Sequence, residues 1–198
     1  DAAAWCNSTG NQLISKETAG GKSVVVIEKG EPKSCNIVTS CEGKGKTFIM
    51  FSDDLDKALA TFVLANGAAA TGQKVTIFFT FWGLNVIKKL HKPKTEKDIF
   101  GKMFGMMLPS SSGKLKLSKM SMGGIGGKMM RYIMNKKGID SLESLRQQAL
   151  ENGVEFIACQ MSMDVMGVKQ EELLDEVTVG GVATYMERAD NANVNLFI

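Results

Sequence analysis

Residues 46–80 pass from a short apolar run through a helical repeat into a second apolar run, and that order leaves few folds open. KTFIMF (46–51) and KVTIFFT (74–80) are short and rich in β-branched and aromatic residues, so both read as buried strands. Between them Leu55, Ala58, Leu59, Phe62, Val63 and Ala70 recur at helical spacing up to Gly72. Ser52-Asp53-Asp54 supplies the start of that helix, with acids in its first turn. A strand, a helix and a strand joined this tightly make a right-handed crossover, which sets the two strands parallel in one sheet.

The alternation continues downstream. Residues 81–90 suit a short helix, and 91–122 are irregular, with Pro93, Pro109, Gly113 and Ser110-Ser111-Ser112. Irregular segments of this length are usually functional or mobile, and residues 99–108 read as a helical insert within this one. Residues 128–137 read as a helix after Gly126-Gly127. Asp140 with Glu143 forms a capping box for the next helix, which carries Leu142, Leu145, Ala149 and Leu150 and ends at Gly153. Residues 154–158 are a third apolar strand leading into Cys159. Short helices are expected at 169–175 and 181–189, and VNLFI (194–198) closes the chain as a strand. The predicted fold is an open, mostly parallel α/β sheet with helices on both faces.

The first 30 residues differ. Residues 2–6 are helix-prone, and 12–18 and 22–29 read as strands either side of Gly20-Gly21. One helix and one hairpin bury too little to form a core alone. Residues 31–45 read as a linker, leaving 46–198 as the α/β domain with a Met-rich basic insert around 91–134.

Bulk composition narrows the function classes. Apolar residues are 44% and charged residues 23%, normal for a globular chain. No apolar run reaches the roughly 18 residues of a membrane helix. The opening DAAAWCNSTG lacks the features of a signal peptide, and its first residue, Asp1, suggests a piece of a longer or processed polypeptide. Four cysteines (Cys6, Cys35, Cys41 and Cys159) are too sparse for a disulfide scaffold, so a reducing, cytoplasmic setting is expected. With His91 as the only histidine, no metal site and no cofactor is expected. Charge is uneven: between Lys88 and Lys137 thirteen Lys/Arg face only Glu96 and Asp98, a local charge of +11. The remainder carries 11 basic and 19 acidic residues, or −8. Such a segment is either a solvated loop or a face for an anionic partner. Eleven of the thirteen methionines lie between Met103 and Met166, a pattern of irregular cores and adaptable binding surfaces.

In open α/β sheets, sites form beyond the carboxyl ends of the strands. Three segments end there and carry Ser52, Trp82, and Cys159 with Met161 and Ser162. Only Cys159 is a strong nucleophile, and a helix over 161–166 would place its amino end beside the thiol, favouring thiolate. The alternative is a buried structural cysteine. Gly123, Gly124, Gly126 and Gly127 precede a helix, where their amides can cradle an anion; they serve equally as a hinge. They do not form the dinucleotide fingerprint, because no strand precedes them directly.

SMGGIGGKMMRYIM (121–134), SLESLRQQALENGVEFIACQMSMDVMGV (141–168) and EELLDEVTVGGVATYM (171–186) resemble the DsrE/DsrF-like sulfur-relay family, in its longer branch commonly labelled peroxiredoxin-like. The resemblance spans residues 46–198. It implies a flavodoxin-like fold, a homo-oligomer, and persulfide handling at a cysteine, here Cys159. AWCNSTGNQLIS and the hairpin after it resemble the second half of a TusA-like sulfur-carrier domain. No Cys-Pro motif occurs, so this half is either truncated or a non-catalytic remnant.

Three readings follow. In the first, the chain is a sulfurtransferase or persulfide carrier exchanging sulfane sulfur with donor and acceptor proteins or small thiols. Thiol exchange needs no cofactor. In the second, it is a non-catalytic interaction module whose Met-rich basic insert docks a disulfide reductase, a sulfur carrier or, peripherally, a membrane surface. In the third, it reduces peroxide through a Cys159 sulfenate, although no peroxidatic motif with its threonine partner is visible. None involves nucleic acid. The relay reading requires a thiol that solvent can reach at the rim of the sheet.

Overall fold

A computed structural model of the protein describes residues 11–19, 22–28, 45–91, 103, 105, 107–120 and 124–198. The chain divides into two compact units, Asp1–Glu42 and Gly43–Ile198. In the first, β1 (Gln12–Ala19) and β2 (Lys22–Glu28) pair antiparallel, as the sequence pattern around Gly20-Gly21 predicts. The helix expected at 2–6, the linker residues 31–44 and most of the insert at 99–108 lie outside the described residues.

The second unit is built on five strands: β3 (Gly45–Met50), β4 (Val75–Phe79), β5 (Glu155–Cys159), β6 (Thr178–Gly180) and β7 (Ala192–Phe197). Their order is β6-β5-β4-β3-β7 and every neighbouring pair is parallel. Five α-helices accompany them: α1 (Leu55–Ala70), α2 (Ile125–Lys136), α3 (Leu142–Glu151), α4 (Gln160–Met166) and α5 (Val182–Asp190).

Strand alternation divides the sheet into two faces. Phe48, Met50, Ile77, Phe79, Phe156 and Ala158 meet Leu55, Ala58, Phe62 and Ala65 of α1 and Leu142 and Ala149 of α3. Phe78, Ile157 and Cys159 form a smaller cluster on the other face under Tyr185 of α5. On the thick face the Phe156 ring lies 5.7 Å from Phe62 and 5.3 Å from Phe79, centroid to centroid. Phe156→Ala is therefore expected to remove about 3–5 kcal/mol of stability, read by urea denaturation. A loss below about 1 kcal/mol would show that the ring is not a core element.

Several local expectations are corrected. The helix at 140–150 is capped by Ser141, whose side chain accepts from the Ser144 amide; Asp140 instead accepts from the Ser144 hydroxyl and from Gln148. Glu143 is drawn away from the cap by Arg131, 3.1 Å distant. Residues 81–90 contain a 3-10 helix, Phe81–Ile87, and 169–175 only a 3-10 turn, Gln170–Glu172. β6, three residues long, has too few side chains for any period to be legible in sequence.

The described part of the long irregular segment is packed. Leu108, Leu115 and Leu117 are buried in the main core. The Lys116 carbonyl accepts from the amide of Leu55 at 2.7 Å, satisfying one of the open donors at the start of α1. The Ser118 amide donates to Asp56 at 2.9 Å, tying the same loop to the first turn.

Candidate functional site

All five strands deliver their carboxyl ends to one edge of the sheet, and the polar side chains gather there. β4 leaves the sheet at Thr80, whose hydroxyl shares a 2.8 Å hydrogen bond with Ser162 of α4. Phe81 follows at φ 46°, a left-handed conformation that a bulky residue adopts only under constraint. The constraint is Gly83, whose amide donates to the Phe51 carbonyl at 2.8 Å and to the Thr80 carbonyl at 3.0 Å. This turn holds Trp82 partly exposed at the rim, 39% accessible.

Cys159 ends β5 and occupies the N-cap of α4. Its neighbour across the sheet is Gly180 of β6, and α5 begins two residues beyond that glycine. Helix amino ends carry unpaired amides and favour negative charge. The thiol itself is enclosed: Cys159 is 2% exposed, packed with Phe78, Ile157 and Tyr185. The Tyr185 ring stands 5.2 Å from Phe78, and its hydroxyl is 3.2 Å from Thr47 Oγ1. The expectation of a thiol open to solvent is thus not met, because Cys159 shares the face of Ile157 and α5 covers that face.

The other anticipated residues disperse. Ser162 is buried against Thr80, and Met161 is exposed. Ser52 donates to Asp54 at 2.7 Å inside the turn before α1. Gly123 lies outside the described residues. Gly124 has φ 96° and opens α2. A Cβ on Gly126 would lie 2.0 Å from the Met120 carbonyl oxygen, and one on Gly127 3.1 Å from that of Leu115. These two glycines let the start of α2 lie against the 115–120 segment, and what faces them is carbonyl oxygen.

Sequence reading missed a set of buried polar side chains beside the rim. Asn85 is fully buried and donates through Nδ2 to Asp53 Oδ2 at 2.9 Å, while its Oδ1 has no partner among the described residues. Lys88 is 3% exposed and donates to the Pro109 carbonyl at 3.3 Å. Arg146 is 5% exposed and donates to the carbonyls of Val86 at 2.8 Å and Lys88 at 3.4 Å, clamping the end of the 3-10 helix. Burial pulls the Arg146 pKa down, opposed by Glu143 and Glu176. Burial likewise raises the Asp53 pKa above its ordinary value, against the Asn85 hydrogen bond. The available signal was Asn85 interrupting the apolar residues of LNVI, with Lys88 directly after them.

At the opposite, amino end of β5, Glu155 accepts from Arg188 Nε at 2.9 Å and from Thr76 at 2.9 Å. The Arg188 hydrogen bond lowers the Glu155 pKa from 4.5. A depressed carboxylate pKa contributes stability that is full above 4.5 and is lost as pH falls through the lower folded-state value. The stability advantage of the native chain over Glu155→Gln is therefore expected to be constant near neutrality and to shrink on acidification below 4.5, by thermal melts across pH. A difference that stays flat down to pH of about 2 would show that the pair contributes nothing.

Fold and site define a class: an open parallel α/β domain with one cysteine at the carboxyl end of an interior strand. The chain belongs to the DsrE/DsrF/DrsH-like family, which matches residues 43–197. It is 44% identical over 155 residues to the uncharacterized protein YrkE of Bacillus subtilis (strain 168), spanning 78% of this chain and 97% of that protein. It is 37% identical over 161 residues to the sulfur carrier protein DsrE2 of Allochromatium vinosum, spanning 79% of this chain and 99% of that protein. The solved structure of the YchN protein from E. coli aligns with 78% of this chain and 99% of its own at a TM-score of 0.44 and 10% identity. Among the described residues no helix is long and apolar enough to cross a membrane, and no group of three or more His, Cys, Asp or Glu is placed to hold a metal.

Proposed function

We propose that this protein is a sulfur-relay protein that accepts sulfane sulfur on Cys159 and passes it on as a persulfide. The carrying observation is that Cys159 is the only cysteine within the family-matched span 43–197. A relative of 37% identity is named a sulfur carrier, and covalent carriage within this span has no other thiol to use. The Cys159 thiolate attacks the outer sulfur of a donor persulfide. The donor S–S bond breaks, the donor leaves as a thiolate, and a new S–S bond forms on Cys159 with no net oxidation. The reverse exchange with an acceptor thiol completes the relay. Donor and acceptor proteins or small thiols are the partners this chemistry requires, and a homo-oligomer is part of the same proposal. Residues 1–30, read as the second half of a TusA-like domain, are assigned no sulfur carriage.

Enclosure of the thiol means that the relay needs α5 to move from its place over Cys159. It also favours a second reading, in which Cys159 is packing only and the domain is an interaction module docking a reductase, a sulfur carrier or a membrane surface through its Met-rich basic insert. Alkylation at neutral pH, followed by mass spectrometry, separates them. Under the relay reading Cys159 is labelled by local opening, faster than the protein unfolds globally, and Tyr185→Ala accelerates the labelling. Under the module reading labelling proceeds only at the rate of global unfolding.

A further inference from the structure

A buried pair of hydroxyls stands beside Cys159 with one proton to spare. β4 and β5 run parallel with Phe79 opposite Ala158, and the next residues of the two strands are Thr80 and Cys159. Thr80 keeps extended backbone, φ −132° and ψ 152°, and its amide still donates to the Met50 carbonyl of β3 at 3.1 Å. Strand alternation therefore runs on through Thr80 and turns its side chain to the Phe78 side of the sheet, where Cys159 also lies. Neighbouring strands are about 5 Å apart, so the two side chains are adjacent. Ser162 completes the group. It follows Cys159, the N-cap of α4, by three residues, the spacing at which an N-cap side chain and the N3 residue meet.

Thr80 is 8% exposed and Ser162 is fully buried, and their hydroxyls share the 2.8 Å hydrogen bond. Whichever hydroxyl donates, the one that accepts keeps its own O–H. That proton meets no further acceptor among the described residues. Buried donors are normally satisfied, so a spare one calls for an acceptor. The empty thiol is not that acceptor: the Cys159 side chain caps no amide of α4, and neither hydroxyl bonds to it. A persulfide differs. Its outer sulfur stands one S–S bond, about 2 Å, beyond Sγ. As an anion it is also a stronger acceptor than a thiol.

We propose that Thr80 donates its hydroxyl proton to the outer sulfur of a Cys159 persulfide, while Ser162 donates to Thr80 Oγ1 and holds that hydroxyl in place. Thr80 is the donor because it faces Cys159 across one strand spacing. The pair thus grips the sulfur cargo and leaves the empty thiol alone. This rests on the relay reading. Loading balances without either hydroxyl reacting: the Cys159 thiolate takes the outer sulfur of the donor persulfide, the donor S–S bond breaks, and the donor leaves as a thiol carrying the persulfide proton.

The test is an exchange equilibrium. The full chain is incubated with glutathione persulfide and glutathione at fixed ratios, and the sulfur gained at Cys159 is read by mass spectrometry. Thr80→Val keeps the branched shape and removes the hydroxyl. It should lower the ratio of loaded to empty protein by about tenfold or more, the scale of one buried hydrogen bond to a charged acceptor. Ser162→Ala should lower it less, because Thr80 keeps its donor and loses only its support. Thr80→Ser, which keeps the hydroxyl and drops the methyl, should load as the native chain does. Alkylation of the empty thiol should run at the native rate in Thr80→Val, since the hydroxyl does not touch it. Native loading in Thr80→Val, a loss in Thr80→Ser as large as in Thr80→Val, or an equal fall in alkylation would each overturn the proposal and leave the relay standing. A native chain that gains no sulfur at Cys159 would overturn the relay and this proposal together.

Discussion

Gly83→Ala is expected to lose about 3 kcal/mol or more of stability, lowering the midpoint of thermal unfolding by roughly 10 °C. An added Cβ would sit 1.9 Å from the Met50 carbonyl oxygen and 2.7 Å from its carbon. Both atoms belong to backbone at the end of β3, so no side-chain rotation can relieve the overlap. Relief would require the 3-10 helix to lift from the sheet. That would break the bonds from Gly83 to Phe51 and Thr80 and from the Thr80 amide to Met50. Gly67, in α1 with nothing within 4 Å of its Cβ position, is the control. Gly67→Ala should gain about 0.5–1 kcal/mol, through helix propensity and a less disordered unfolded chain. A Gly83→Ala protein as stable as Gly67→Ala would show that β3 and the turn after β4 are not in contact.

Cys159→Ser is expected to abolish sulfur uptake while leaving the fold intact. Incubation of the native chain with a persulfide donor should add one sulfur atom to the peptide containing Cys159, removable by a thiol reductant. In the variant that peptide should gain nothing. Serine is close to cysteine in volume and lies at the end of the strand, where its hydroxyl meets the Phe78–Tyr185 cluster. Placing a hydroxyl in that cluster is expected to remove about 1–3 kcal/mol, so unfolding should remain cooperative. Sulfur gain at Cys6, Cys35 or Cys41 with none at Cys159 would reject the relay assignment and favour the interaction module.

Much of the domain was legible because its signals are local. KTFIMF and KVTIFFT each contain an unbroken apolar run, 48–51 and 77–79, since both faces of a parallel sheet are covered, and α1 shows its buried stripe at Leu55, Ala58 and Phe62. The position of Cys159 at a strand end followed from the apolar run before it. What failed lay where partners distant in sequence decide the outcome. The cap moved from Asp140 to Ser141 while Arg131 took Glu143. Arg146 and Lys88, residues that composition assigns to the surface, became buried because backbone carbonyls of the 3-10 helix and of Pro109 accept from them. The glycines at 126 and 127 proved to admit the carbonyls of Met120 and Leu115, which no spacing rule could have shown.

By itself the sequence determined the strands other than β6 and the helices between them, the parallel crossover and the strand end on which the single thiol of the domain falls, because hydrophobic period and handedness act over neighbouring residues. Tertiary structure alone decided which way that thiol points and what stands beside the rim. Phe156, Ile157 and Ala158 are all apolar, so their order cannot say which face receives the thick layer of α1 and α3. Once that layer takes Phe156 and Ala158, alternation turns Cys159 under α5. The same docking brings Asp53 and Asn85, 32 residues apart, into one desolvated pair.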